Sequence, residues 1–94
     1  MSVIESKIEA QLVSCARKRG FQTHKLDQIP GNRHMPDQIL VNKNRVCVYV
    51  EVKREDLEPR PAQLAKHAQL RNAGQHVQVL DRIEDIDTLL DMYE

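Results

Sequence analysis

The chain reads as an α/β sandwich, a central mixed sheet of about four strands flanked by helices in the order αβββαβα. Three observations predict it. The run Val46-Cys47-Val48-Tyr49-Val50 is apolar at every position, the pattern of a central strand in a covered sheet. The stretch Gln38 to Val41 lies just before it across Asn42-Lys43-Asn44, a tight connection that makes the two a hairpin. Pro61 and Gly74 then bracket a helix that crosses over to a further short strand, where Val77 and Val79 alternate.

The remaining elements follow from local spacing. Ile4, Ile8, Leu12 and Cys15 recur at helical intervals, which predicts an amphipathic helix over about residues 3 to 19. Ser2-x-x-Glu5 and Ser6-x-x-Glu9 both fit a capping box, so its start stays open, and Gly20 ends it. Phe21 to Leu26 suits a first strand, and Asp27 to Met35, with Pro30-Gly31-Asn32, suits a loop. The Val46 strand runs on to Lys53, and Glu55 to Arg60 is polar loop. The second helix carries Leu64, His67, Ala68 and Arg71 along one stripe. Asp81-x-x-Glu84 predicts the start of a last helix bearing Ile83, Ile86, Leu89, Leu90 and Tyr93.

At 94 residues, 40% apolar and 30% charged, the chain is one globular domain spanning 1–94, small enough that pairing with a second copy would help it. Its three aromatics (Phe21, Tyr49 and Tyr93) are too few for a base-stacking surface along single strands. A formal charge of zero excludes a pervasive field for nucleic acid, so phosphate binding must come from local clusters. Cys15 and Cys47 lack metal-ligand spacing and read as small core residues of a reduced compartment. No segment has the length of a membrane span and no signal-peptide block is present, so a cytoplasmic protein is expected, in host cytoplasm if phage-encoded.

The chemistry concentrates at Pro36-Asp37 and Glu51-Val52-Lys53, fourteen positions apart from aspartate to glutamate. In an antiparallel hairpin the start of one strand lies beside the end of its neighbour, so Asp37 and Glu51 should be near neighbours. Two carboxylates suit a hard divalent cation, which binds through one or two acids plus water and phosphate. Glu51 and Lys53 share a strand face, about 6.5–7 Å apart, and could address one site. Bland alternatives stand beside each residue. Asp37 could be a turn aspartate bonded to local backbone, and Glu51 with Lys53 a surface ion pair. The four histidines (His24, His34, His67 and His76) show no zinc spacing, and none is taken as a ligand.

Pro36-Asp37 with Glu51-Val52-Lys53 resembles the PD-(D/E)XK nuclease motif, and the wider context looks like its virus-type replication-repair (VRR-NUC) branch. The likeness runs from Glu9 through Lys25, Met35-Pro36-Asp37-Gln38-Ile39-Leu40, Val50-Glu51-Val52-Lys53 and Pro61-Ala62-Gln63 to Leu70-Arg71-Asn72-Ala73-Gly74. One departure is His34, where the family usually has glycine.

The resemblance implies a restriction-endonuclease-like fold and a Mg²⁺- or Mn²⁺-dependent endonuclease. It makes Asp37, Glu51 and the Val52 carbonyl metal ligands. Glu9 becomes the helix acid at the rim of the site, against the alternative of a cap after Ser6. Lys53 orients or deprotonates the attacking water. Gln63 bonds water or phosphate, against a helix-surface role. Lys25 contacts phosphate, against a solvated strand end. With Lys25, Arg33, His34, Arg54 and Arg60 are the candidate DNA contacts. Small members of this branch resemble homodimers acting on four-way DNA junctions. Alternatives are a nicking or restriction-type nuclease, or a nuclease-fold DNA-binding module without cleavage.

Overall fold

The computed structural model describes residues 3–27, 34–44 and 46–94. Its elements are α1 (Val3–Lys18), β1 (Gln22–Lys25), β2 (Gln38–Val41), β3 (Cys47–Val52), α2 (Pro61–Asn72), β4 (His76–Leu80), and a 3-10 turn (Ile83–Asp85) running into α3 (Ile86–Asp91). This is the predicted order, with the third helix begun by a tighter turn. The loop centred on Pro30-Gly31-Asn32 and the candidate contact Arg33 lie outside the described residues, as does Ser2.

The four strands lie in sequence order, β1-β2-β3-β4. β1, β2 and β3 pair antiparallel, and α2 carries the chain across to β4, which pairs parallel with β3. Alternation along the strands then divides the sheet into two faces. Val48, Val50 and Val52, with Leu40 and Leu80, pack into one core with Ile8, Leu12 and Ala16 of α1 and Ile86, Leu89, Leu90 and Tyr93 around α3. The opposite face carries Tyr49, Glu51 and Lys53, and is covered by α2 in part only, with Tyr49 half-buried.

Gly20 and Gly74 end α1 and α2 at φ +88° and +84°, the left-handed conformation glycine adopts without a Cβ penalty. Three local expectations need correction. Ile4 is exposed, and the buried α1 stripe is Ile8, Leu12 and Ala16, because only the four-residue step from Ile8 onward lies over the core. On α2 the inward pair is Gln63 and His67, while Leu64, Ala68 and Arg71 are exposed. The helix is rotated by the buried carboxylate it faces, which requires polar neighbours.

Asp81 does not cap the last helix; its Oδ2 accepts the Asp56 amide at 3.3 Å. Asp56 itself sits at φ +63°, and Arg82 binds both it (2.8 Å) and Glu55 (3.0 Å), which ties the β3–α2 loop to the start of the final helical turn. Tyr93 is a core residue whose hydroxyl accepts from Gln78 Nε2 at 2.6 Å. Cys15 and Cys47 are free thiols.

Candidate metal centre

The hairpin register brings the two acids together. Gln38 pairs with Val50, so one step outward sets Asp37 opposite Glu51, on the face turned toward α2. Pro36 is fully buried and anchors the entry to β2. Asp37 Oδ2 accepts the Val52 N–H at 2.8 Å, a bond across the hairpin and not to its own turn. That excludes the local-turn alternative for Asp37.

Glu51 is 2% exposed, which excludes a surface ion pair with Lys53. Burial first, then a hydrogen bond with Asp37 and the charge of that carboxylate, push the Glu51 carboxyl up to about 8. Lys53 opposes the shift and Glu5 adds to it. A carboxyl raised by a neighbouring one is the usual outcome for acids too close to ionise together.

α2 supplies the inner wall. His67 is completely buried, and its Nε2 lies 3.3 Å from Glu51 Oε1. Burial lowers the pKa of His67, with Arg71 and Lys53 acting in the same direction, so the ring is neutral at pH 7. The contact is a hydrogen bond rather than an ion pair. Gln63, one turn earlier and also buried, accepts the Arg60 amide at 2.9 Å through Oε1. That bond closes the start of α2.

Glu9 lies inside α1, so it does not form a helix-start cap with Ser6. Its side chain is 13% exposed, with Oε1 accepting from Lys25 Nζ at 2.8 Å. Glu9 Oε2 is buried without a partner. Lys25 is 53% exposed and its pKa is raised, chiefly by the Glu9 hydrogen bond, so it bridges α1 to β1 as well as facing solvent. Arg54, Arg60 and His34 are exposed. His34 occupies φ +68°, a conformation costly for a residue with a Cβ, which gives a physical reason why glycine suits this position.

The donor set fits a hard divalent cation. Two carboxylates meet at the ends of adjacent strands, and burial with the neighbouring acid raises Glu51, a cost that a 2+ charge would relieve. Among the described residues no three His, Cys, Asp or Glu side chains converge into a complete protein cage. A Mg²⁺-type site, which keeps several waters and takes phosphate oxygens, does not require one.

Two residues at the site were not legible as such. His67 sits four positions after Gln63, and that polar pair at helical spacing was the available signal. Glu5, read only as a capping acid, is the α1 acid whose charge reaches Glu51; its signal was the four-residue step to Glu9.

No family model matches the chain. It is 38% identical over 86 residues, 92% of this chain and 90% of the relative, to a protein of Acyrthosiphon pisum secondary endosymbiont phage 1 named "Putative nuclease p44". A solved structure titled "VRR_NUC domain" matches 99% of this chain and 100% of its own with a TM-score of 0.89 and 26% identity.

Proposed function

The chain belongs to the VRR-NUC nuclease family, and on that premise we propose that it is a divalent-metal-dependent DNA endonuclease that acts as a homodimer on four-way junctions. The observation that carries the metal reading is the meeting of half-buried Asp37 with buried Glu51 at the ends of adjacent strands, where burial and the neighbouring acid push Glu51 up to about 8. Asp37, Glu51 and the Val52 carbonyl would hold Mg²⁺ or Mn²⁺, with Glu9 at the rim. When bound, the cation supplies Lewis-acid polarisation of a phosphate oxygen and stabilises charge on the attacking and leaving oxygens.

The chain's own residues do the rest. The Val52 N–H holds one Asp37 oxygen, which fixes the carboxylate's orientation. Lys53 stands on the same strand face as Glu51, where its ammonium offsets phosphate charge and orients the attacking water. Gln63 Nε2 points a donor from the first turn of α2 toward water or phosphate, because its Oε1 is held by the Arg60 amide. Lys25, Arg33, His34, Arg54 and Arg60 would contact the DNA backbone.

Two equivalent sites related by a twofold axis match a junction with approximate twofold symmetry. β2 and β3 leave Ile39, Val41, Cys47 and Tyr49 half-buried beside the site, apolar surface that a second copy would cover. The test is to incubate the protein with a synthetic four-way junction, a flap and a plain duplex, with Mg²⁺ or with EDTA, while light scattering reports its mass. Metal-dependent junction cleavage by a dimer is the expected result. Cutting of plain duplex at a fixed sequence would replace the junction with a restriction-type substrate, and binding without cutting under any metal would remove catalysis.

A further inference from the structure

Among the described residues the metal reading leaves the buried side chains of Gln38 and His67 without a task, and of these His67 stands against a proposed ligand. His67 is fully buried in the middle of α2, and Glu51 Oε1 at 3.3 Å is the hydrogen-bond partner of its Nε2. Its other nitrogen, Nδ1, is buried with no partner. An apolar side chain here would do away with the orphaned Nδ1 but would also take the partner from Glu51 Oε1, so the histidine carries a cost to folding together with a contact to the site. Such a cost is the mark expected where a side chain serves the site.

We propose that His67 is a positioning residue for the metal centre, holding Glu51 Oε1 by an Nε2–H hydrogen bond so that the other Glu51 oxygen faces Asp37 and the cation. The inference rests on the reading of Asp37 and Glu51 as metal ligands. A neutral imidazole has one N–H, and Nε2 is the nitrogen that faces an acceptor, so the Nε2–H tautomer is the one this geometry uses. Glu51 Oε1 is then occupied, and the carboxylate cannot rotate freely about its last bond. Asp37 is held in the same manner, through Oδ2 by the Val52 amide. Each acid therefore has one oxygen held by an N–H of the chain, and the hydrogen bond that the two acids make with each other is the contact a cation would replace. This is the arrangement by which neighbouring donors orient ligands at metal sites.

His67→Leu and His67→Gln test it, because glutamine reaches about as far as Nε2 with an N–H and leucine offers none. Mg²⁺ and Mn²⁺ affinities are measured by titration calorimetry and by thermal shift in the absence of DNA, and junction cleavage is measured separately. His67→Leu is expected to bind either ion about 10–100-fold more weakly, the usual cost of losing such an orienting partner. Its metal-free melting temperature should stay close to that of the wild type, since the orphaned Nδ1 goes together with the partner of Glu51 Oε1. His67→Gln should recover most of the affinity. Wild-type affinity in His67→Leu overturns the proposal and leaves the metal reading intact. Absence of metal binding by the wild-type protein overturns both.

Should the variants fail to fold, the wild-type imidazole ¹⁵N spectrum decides. An Nε2–H tautomer whose signals move as Mg²⁺ saturates the protein supports the role. An Nδ1–H tautomer, or signals indifferent to Mg²⁺, overturns it.

Discussion

Two groups of acids in this small protein are treated in opposite ways. Near the C-terminus Asp87, Asp91 and Glu94 surround Arg19 at the end of α1, with Arg19 Nη1 3.5 Å from Asp87, Nε 2.7 Å from Glu94, and Nη2 bonded to Asp91. The guanidinium hydrogen bond holds the Glu94 carboxyl below its ordinary range. At the ends of β2 and β3, burial and the nearness of Asp37 hold the Glu51 carboxyl far above it. The chain provides a cation for the first group and fastens α1 to α3 with it. In the second group the acids are desolvated and aligned first, and Lys53 offsets only part of the cost. The first group is satisfied within the chain and serves structure, whereas the second is left short of positive charge, which is what the proposed function uses.

The largest expected effects lie at the second group. Lys53→Ala should lower junction cleavage roughly 10²–10³-fold, the range for loss of one group that stabilises charge in the transition state. Glu51→Gln should lose cleavage at least as severely while melting no earlier than the wild type without metal, since it removes a carboxyl that burial penalises. Arg19→Ala is expected to invert that pattern, with an earlier melt and cleavage kept. If Arg19→Ala abolished cleavage in a folded protein, the two groups would not be functionally separate.

The pH dependence sharpens the same contrast. The Glu51 carboxyl lies above its ordinary 4.5, at about 8. Its contribution to stability is complete below pH 4.5 and is lost as pH rises to about 8, at up to about 1.4 kcal/mol per pH unit. Glu94 is shifted the other way, so its contribution is present above its ordinary value and lost on acidification. Denaturant melts without metal should therefore weaken from pH 5 to pH 8, and saturating Mg²⁺ should reduce the decline by letting both acids ionise. The Glu51→Gln protein should show a flatter profile in the same range; an unchanged slope would assign the decline to another group.

The smallest effect is expected at His34. Glycine there relieves a left-handed conformation but gains unfolded-state freedom, so His34→Gly should stabilise the fold by only about 0.5–1 kcal/mol. A destabilised variant would show that the imidazole makes contacts that outweigh its backbone cost.

Much of this was readable from spacing. The limits of β2, the glycine stops at Gly20 and Gly74, and the meeting of Asp37 with Glu51 all follow from short-range rules, because a hairpin's register is settled within a few residues of its turn. The rotation of α2 was not readable, because Leu64 and His67 both sit at plausible inward positions and hydrophobicity favours the leucine. The Glu9–Lys25 bridge, the role of Asp81 under the β3–α2 loop, and the Gln78–Tyr93 hydrogen bond each depend on partners far away in the chain.

By itself, then, the sequence determined the order of the elements, where they stop, and which two acids become neighbours, since each depends on local periodicity and turn length. Tertiary structure alone decided that Glu51 is dry, that His67 stands against it, and that Glu5 is the helix acid whose charge it feels. Desolvation and long-range electrostatics depend on what packs against a side chain, and no local pattern specifies that.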